Sequence, residues 1–294
     1  MGYAEYTTFR PRSTGTNASI DPEYGYLKYS QIKEVCSHIV AAGRGSYIMK
    51  NDWEAAFRNI VIAPQDRWMM GFQWDGKFYK ECCLPFGLRT APFLFNLFAE
   101  ALHWILESWL GWEYICHLLD DIIHVIPQAQ YRQLRGKVQD FVYITNYLGI
   151  PRNDGKFALG QVVTVFGYEL DTRSFTIRLP PEKVEKVQTA IDTVRAKKKV
   201  TLWDIQVIAG LLSWSAPAVQ LGWVFCRRLW DFERRFSTHR PHQHIKISQE
   251  VYEDLHWWAE LLPHSNGIHF FDDAARKTYY LYTDASGEGS ALSD

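Results

Sequence analysis

The sequence predicts an α+β fold built on antiparallel hairpins, and three observations carry that reading. Apolar residues recur at helical spacing in long runs such as Phe95, Phe98, Leu102, Ile105 and Trp109. Short apolar runs flank turn-type residues at Asp75–Gly76 and at Asp120–Asp121, the mark of strands that fold back on themselves. After Pro180 and Pro181 the pattern turns helical.

The elements follow in order. The first thirty residues, rich in Gly, Ser, Thr, Asn and Pro, read as loop or broken structure. A helix fits Ser30 to Ala42, with Ile32, Val35, Ile39 and Val40 on one face and Gly43 as its stop. SYIMKND, ending at Asp52, and NIVIAP, starting at Asn59, read as strands, and the segment from Trp68 to Phe86 as a hairpin. Pro92 opens a long helix that Gly111 closes. YICHLL and IIHVI form a second hairpin around Asp120 and Asp121, followed by a helix from Tyr131 to Leu148 and strands at VVTVFGYEL and FTIRL. Val184, Val187, Ile191 and Val194 then mark a helix, and Thr201 with Asp204 makes a capping-box start for the next. One more helix and a strand, TYYLYTDASGEG, complete the chain.

Composition narrows the class. At 294 residues with a hydrophobic fraction of 47%, the chain can bury enough surface to offset its ordering entropy, which excludes a disordered or collagen-like protein. Five cysteines in neither a paired framework nor a C-x-x-C spacing read as reduced thiols, so an intracellular protein is expected. No apolar run reaches membrane-spanning length. The net charge of −1 hides a local field: from Arg173 to Lys246 stand 14 Lys and Arg against 6 Asp and Glu, an excess of +8 that suits a phosphate backbone or a solvated helical face. His239, His242 and His244 have no further Cys or His at zinc-type spacing, and solvated linker is the better reading.

Asp52 ends one expected strand, and Asp120 with Asp121 sits where another strand pair turns. Adjacent strands lie about 4.8 Å apart, so these acids converge if the two segments are neighbours. Clustered carboxylates hold the paired divalent ions that phosphoryl transfer uses. Taken singly, each segment reads as a strand-end acid or a pair of turn residues.

Five segments in fixed order change the weighting: DWEAAF from Asp52 to Phe57, LPFGLRTAP from Leu84, LLDD ending at Asp121, DGK ending at Lys156, and VFGYEL around Gly167 and Tyr168. Together, over roughly residues 20 to 290, they resemble the polymerase motifs of reverse transcriptases, most closely those of long-terminal-repeat and tyrosine-recombinase retrotransposons. Leu118 departs from the family, which usually carries tyrosine there. The resemblance implies a right-hand polymerase fold: partial fingers over 1–45, a palm with an antiparallel sheet over 46–172 including a fingers insertion at about 61–90, a helical thumb over 173–240, a connection over 241–276, and the start of a ribonuclease H-like domain over 277–294.

The same resemblance implies an RNA-directed DNA polymerase using two Mg²⁺ or Mn²⁺ ions, with an RNA or DNA template, a primer strand and deoxynucleoside triphosphates as partners. Asp52, Asp120 and Asp121, with the Trp53 carbonyl, would hold the ions, and Lys156 would be the general acid for pyrophosphate departure. Ala55, Ala56, Phe57, Phe86, Gly87 and Arg89 would line the nucleotide site, where Phe57 excludes a ribose 2′-hydroxyl by overlap. Gly167 and Tyr168 would grip the primer, and Lys197, Lys198, Lys199, Arg227 and Arg228 would track phosphates. Arg10 and Arg12 are weak substitutes for the basic finger block that clamps the triphosphate. LYTDASGEG resembles the first strand of a ribonuclease H domain, but Asp284 is its single site carboxylate here, so no ribonuclease activity is expected. Two alternatives stay open: a nucleic-acid-binding remnant without turnover, and an RNA-dependent RNA polymerase, against which Phe57 argues.

Overall fold

The computed structural model describes residues 4–7, 15–237, 243–270, 282–286 and 289–293. Arg10, Arg12, His239 and His242 fall outside them, and at Asp284 only the backbone is described. At the centre lies an antiparallel four-stranded sheet in the order β5-β6-β2-β7, formed by β2 (Tyr47–Asp52), β5 (Ile115–Leu118), β6 (Asp121–Ile126) and β7 (Ala158–Gly160). Its strands are largely buried because both faces are covered, with the polar residues of β2 gathered at its C-terminal end. On one face Met49, Ile122 and Ile126 pack with Phe95, Leu102 and Leu106 of α2 (Ala91–Leu110) and with Phe141 and Ile144 of α3 (Leu134–Tyr147). On the other, Ile48, Ile123 and Val125 meet Val35, Cys36 and Ile39 of α1 (Ile32–Ala42).

That second face runs into the larger core. A sheet in the order β13-β10-β9-β8 joins β8 (Val162–Val165), β9 (Tyr168–Asp171), β10 (Thr176–Arg178) and β13 (Ile268–His269). Behind it stand α4 (Pro181–Arg195), α5 (Leu202–Ser215), α6 (Arg227–Glu233) and α7 (Gln249–Ser265), whose Val187, Ile208, Leu212, Leu229 and Trp258 are fully buried. The capping box at the start of α5 is present: Thr201 Oγ1 accepts from the Asp204 amide and the Asp204 carboxylate accepts from the Thr201 amide. The boundary expected at 172/173 lies within this sheet, since β10 pairs with β9, and β13, from the expected connection, pairs with β10.

The smaller sheets are β1-β4-β3, from β1 (Ala4–Thr7), β3 (Gly71–Trp74) and β4 (Lys77–Glu81); β11 (Lys199–Thr201) with β12 (His244–Lys246); and β14 (Tyr282–Ser286) with β15 (Gly289–Ser293). Asp75 and Gly76, both at positive φ, turn the β3–β4 hairpin where the sequence placed it. Three expectations need correction. NIVIAP is not a strand: Ile62 N–H donates to Cys82 O and Leu84 N–H to Ile60 O, making one bridge between Val61 and Cys83 before Pro64 stops further pairing. Trp68–Met70 belongs to a 3₁₀ turn, Arg67–Met70, so the hairpin is shorter than expected. The helix expected from Tyr131 starts at Leu134, after a 3₁₀ segment over Gln128–Gln133.

Candidate active site

The strand register brings two of the acids together, and the turn between β5 and β6 holds the third nearby. Asp52, the last residue of β2, lies opposite Asp121, the first residue of β6. Asp120 stands one residue earlier in the β5–β6 turn, and its carbonyl accepts the Trp53 amide at 2.9 Å, which ties that turn to the end of β2. Leu119 in the same turn sits at φ +52, a left-handed conformation that a leucine adopts only under constraint. The strand adjacency on which the sequence argument was conditional is present, with Asp52 and Asp121 opposite each other.

Two lysines face these acids. Lys156 Nζ lies 3.0 Å from Asp52 Oδ1, and Lys50 Nζ lies 3.1 Å from Asp121 Oδ1. Asp52 is buried, while Asp120 and Asp121 are half-buried. Burial raises the Asp120 carboxyl above its ordinary pKa, opposed by a hydrogen bond from its own backbone and reinforced by the charges of Asp121 and Asp52. Burial also raises Asp121, against the pull of Lys50. Lys156 moves up, chiefly through its hydrogen bond to Asp52.

The turn that carries Lys156 is anchored from both sides. Asn153 N–H donates to Asp52 O at 2.9 Å, and Arg152 donates to Thr145 Oγ1 at 2.6 Å and to Asn146 Oδ1 at 2.8 Å on α3.

Beyond Asp52 the chain breaks its extended course. Trp53 is buried edge-on against Phe95, and Ala55 and Ala56 follow at φ +58 and +25, two strained non-glycine residues in succession. Phe57 is half-buried, its ring 5.5 Å from that of Phe86 and 5.6 Å from that of Phe95. Phe86 is 71% exposed. Gly87 takes φ +88. Asn17 fastens this loop, donating to Gly87 O at 2.7 Å and accepting from the Arg89 amide at 2.8 Å; the Arg89 guanidinium donates to Ile20 O. Sequence reasoning missed both Asn17 and Lys50.

The remaining candidates lie elsewhere. Gly167, at φ +88, turns the β8–β9 hairpin, while Tyr168 is buried with its ring 5.0 Å from that of Trp214 and its hydroxyl donating to the Trp214 carbonyl. Gly167 is half-buried and the Tyr168 ring is buried, so the phenol does not face solvent. Lys197 pairs with Asp204 at 2.7 Å, Arg228 with Asp254 at 3.3 Å and Arg227 loosely with Asp231 at 3.9 Å. Lys199 lies in β11, and Lys198 has no ion pair among the described residues.

Three acids gather at the end of a sheet covered by helices on both faces, and the core behind that sheet continues into the helices α4 to α7. Solved structures share the fold. A foamy viral protease-reverse transcriptase in complex with double-stranded DNA is 19% identical with a TM-score of 0.62, covering 93% of this chain and 56% of that one. A foamy viral protease-reverse transcriptase in complex with an RNA/DNA hybrid is 18% identical with a TM-score of 0.58, covering 81% and 30%. The family profile described as reverse transcriptase (RNA-dependent DNA polymerase) matches residues 10–170, more than half the chain, which therefore belongs to that family. The retrovirus-related Pol polyprotein from transposon gypsy of Drosophila melanogaster is 33% identical over 82 residues, 28% of this chain and 7% of the polyprotein. The chain thus spans only part of each of these relatives.

The donors fit a hard divalent ion. All three are carboxylates, the chemistry Mg²⁺ and Mn²⁺ select, although two of them are paired with lysine ammonium groups that an ion would have to displace or share with. Among the described residues no group of three or more His, Cys, Asp or Glu side chains is disposed to hold a metal ion; Asp52 and Asp121 contact Lys156 and Lys50 instead. Nor is any helix among them long and apolar enough to cross a membrane.

Proposed function

We propose that the chain is the core of an RNA-directed DNA polymerase that extends a primer 3′-hydroxyl with deoxynucleotides on an RNA or DNA template. The observation that carries this reading is the register of Asp52 opposite Asp121, with Asp120 pinned beside them through the Trp53 amide. Asp52, Asp120, Asp121 and the Trp53 carbonyl would hold two Mg²⁺ or Mn²⁺ ions, which supply charge neutralisation at the reacting phosphate. Lys156, exposed on its turn and within reach of Asp52, delivers a proton to the departing pyrophosphate. The left-handed turn at Ala55 and Ala56 carries the backbone past the triphosphate, and Phe57, wedged between Phe86 and Phe95, fills the space a 2′-hydroxyl would need. The Gly167 turn supports the primer end. In this reading the central sheet is the palm, the β1-β4-β3 sheet with the Phe86–Arg89 loop is the fingers, and α4 to α6 form the thumb over the hybrid.

Primer extension tests it. RNA template, DNA primer, deoxynucleotides and Mg²⁺ or Mn²⁺ should give extension that Asp52→Asn and Asp120→Asn abolish while duplex binding persists. Binding without extension by the unaltered chain would instead identify a remnant that holds nucleic acid and does not turn over.

A further inference from the structure

Lys50 belongs to no motif singled out in the sequence, yet its ammonium sits at the catalytic carboxylates. Strand periodicity puts it on the same face as Asp52, two residues away on β2. From there Nζ reaches diagonally across to Asp121 Oδ1 at 3.1 Å. Its situation differs from that of Lys156. The Lys156 side chain is 59% exposed on a turn and can swing away from Asp52, whereas that of Lys50 is 19% exposed and rises from the middle of a strand hydrogen-bonded on both sides, to β6 and β7.

We propose that Lys50 is a built-in counter-cation for Asp121, competing with the divalent ion for that carboxylate and so setting how tightly the site takes up metal. The inference rests on the polymerase reading. With metal absent, the ammonium lowers the repulsion among three acids gathered at one strand end. When an ion arrives, Asp121 must exchange one cation for another, and Lys50, its backbone held between β6 and β7 and its side chain mostly buried, keeps a positive charge close to the ion. Both effects weaken binding, so Lys50 stabilises the metal-free protein at the expense of affinity. A lysine that merely oriented Asp121 as a ligand would act in the opposite direction, its loss lowering affinity.

The test is direct Mn²⁺ binding to the full chain, stripped with chelator and dialysed, with free ion read by electron paramagnetic resonance and unfolding temperature measured in chelator and in saturating Mn²⁺. Lys50→Met should bind Mn²⁺ about fivefold more tightly than the parent, and Lys50→Arg should match the parent. Lys50→Met should also unfold at a lower temperature in chelator, with a larger gain on adding Mn²⁺. Combining Lys50→Met with Asp121→Asn should erase the gain in affinity, and Lys50→Gln serves if the methionine variant does not fold. Unchanged or weaker binding in both neutral variants would overturn the proposal while leaving the polymerase reading intact. A parent chain that binds no Mn²⁺ dependent on Asp52 and Asp120 overturns both.

Discussion

Phe57 shows how much one side chain decides. Its ring packs 5.6 Å from that of the fully buried Phe95, so on the polymerase reading it cannot yield to a larger sugar without disturbing that core residue. Phe57→Ala should therefore admit ribonucleotides, raising their incorporation relative to deoxynucleotides by about tenfold or more in single-nucleotide extension; a ratio unmoved by the change would return Phe57 to a purely structural role. His124 makes a second argument from burial. It stacks on Trp112 with ring centroids 4.2 Å apart, and burial pushes its imidazole from 6.5 down to about 3, helped by the Lys137 charge and opposed by the Glu113 backbone. The unfolded chain takes up a proton near the ordinary value and the folded chain does not, so stability is full above 6.5 and drains away as pH falls toward about 3. At about pH 5 the loss amounts to about 2 kcal/mol. His124→Phe keeps a ring against Trp112 and removes the titration, so denaturant unfolding at neutral and acidic pH should show a correspondingly smaller acid loss. An acid loss as large as in the parent would place its origin elsewhere, for example in His38 and His117, which burial shifts the same way.

The β8–β9 hairpin links the two sheets' machinery to the helical lobe. A Cβ on Gly167 would stand 2.7 Å from Trp214 Cζ2, and the residue's φ of +88 is one an alanine resists. Gly167→Ala should cost about 1–3 kcal/mol in chemical denaturation, and a neutral result would mean the turn readily reshapes. This hairpin was legible in the sequence, as were the Asp75–Gly76 turn and the Thr201–Asp204 cap, because each rests on local backbone chemistry that the residue types announce. The acids were legible in type and order, their meeting only as a condition on strand adjacency. Elements whose state depends on distant partners were not: Ile60, Val61 and Ile62 look like a strand, yet Ile62 is buried in a small cluster and Val61 is 65% exposed with one bridging partner. Lys50 escaped for a related reason, since a lysine on a strand gains meaning only once the register sets Asp52 against Asp121. The one available signal was its position two residues before Asp52.

Over the whole molecule, the excess of +8 between Arg173 and Lys246 overstates the charge free to meet a polyanion. Lys197, Arg227 and Arg228 each pair with an acid of the same lobe or of α7. The partner of Arg228 matters most: Asp254 is 3% exposed, and its Oδ2 has no hydrogen-bond partner among the described residues. Burial raises its carboxyl above the ordinary range, with Arg228 pulling it down. Arg228→Ala would strand that carboxyl without its counter-charge, costing about 1–3 kcal/mol of stability. Its guanidinium is already committed, so the salt dependence of duplex binding should barely change. Lys198, without such a partner, should behave in the reverse way: Lys198→Ala should leave stability within about 0.5 kcal/mol and reduce the slope of log affinity against log salt by about one. Binding of an RNA/DNA hybrid over a salt series, with denaturant unfolding of the same proteins, separates the two. If Arg228→Ala instead lowers the slope by one and leaves stability intact, the ion pair with Asp254 opens in the complex, and Arg228 serves the duplex rather than the core.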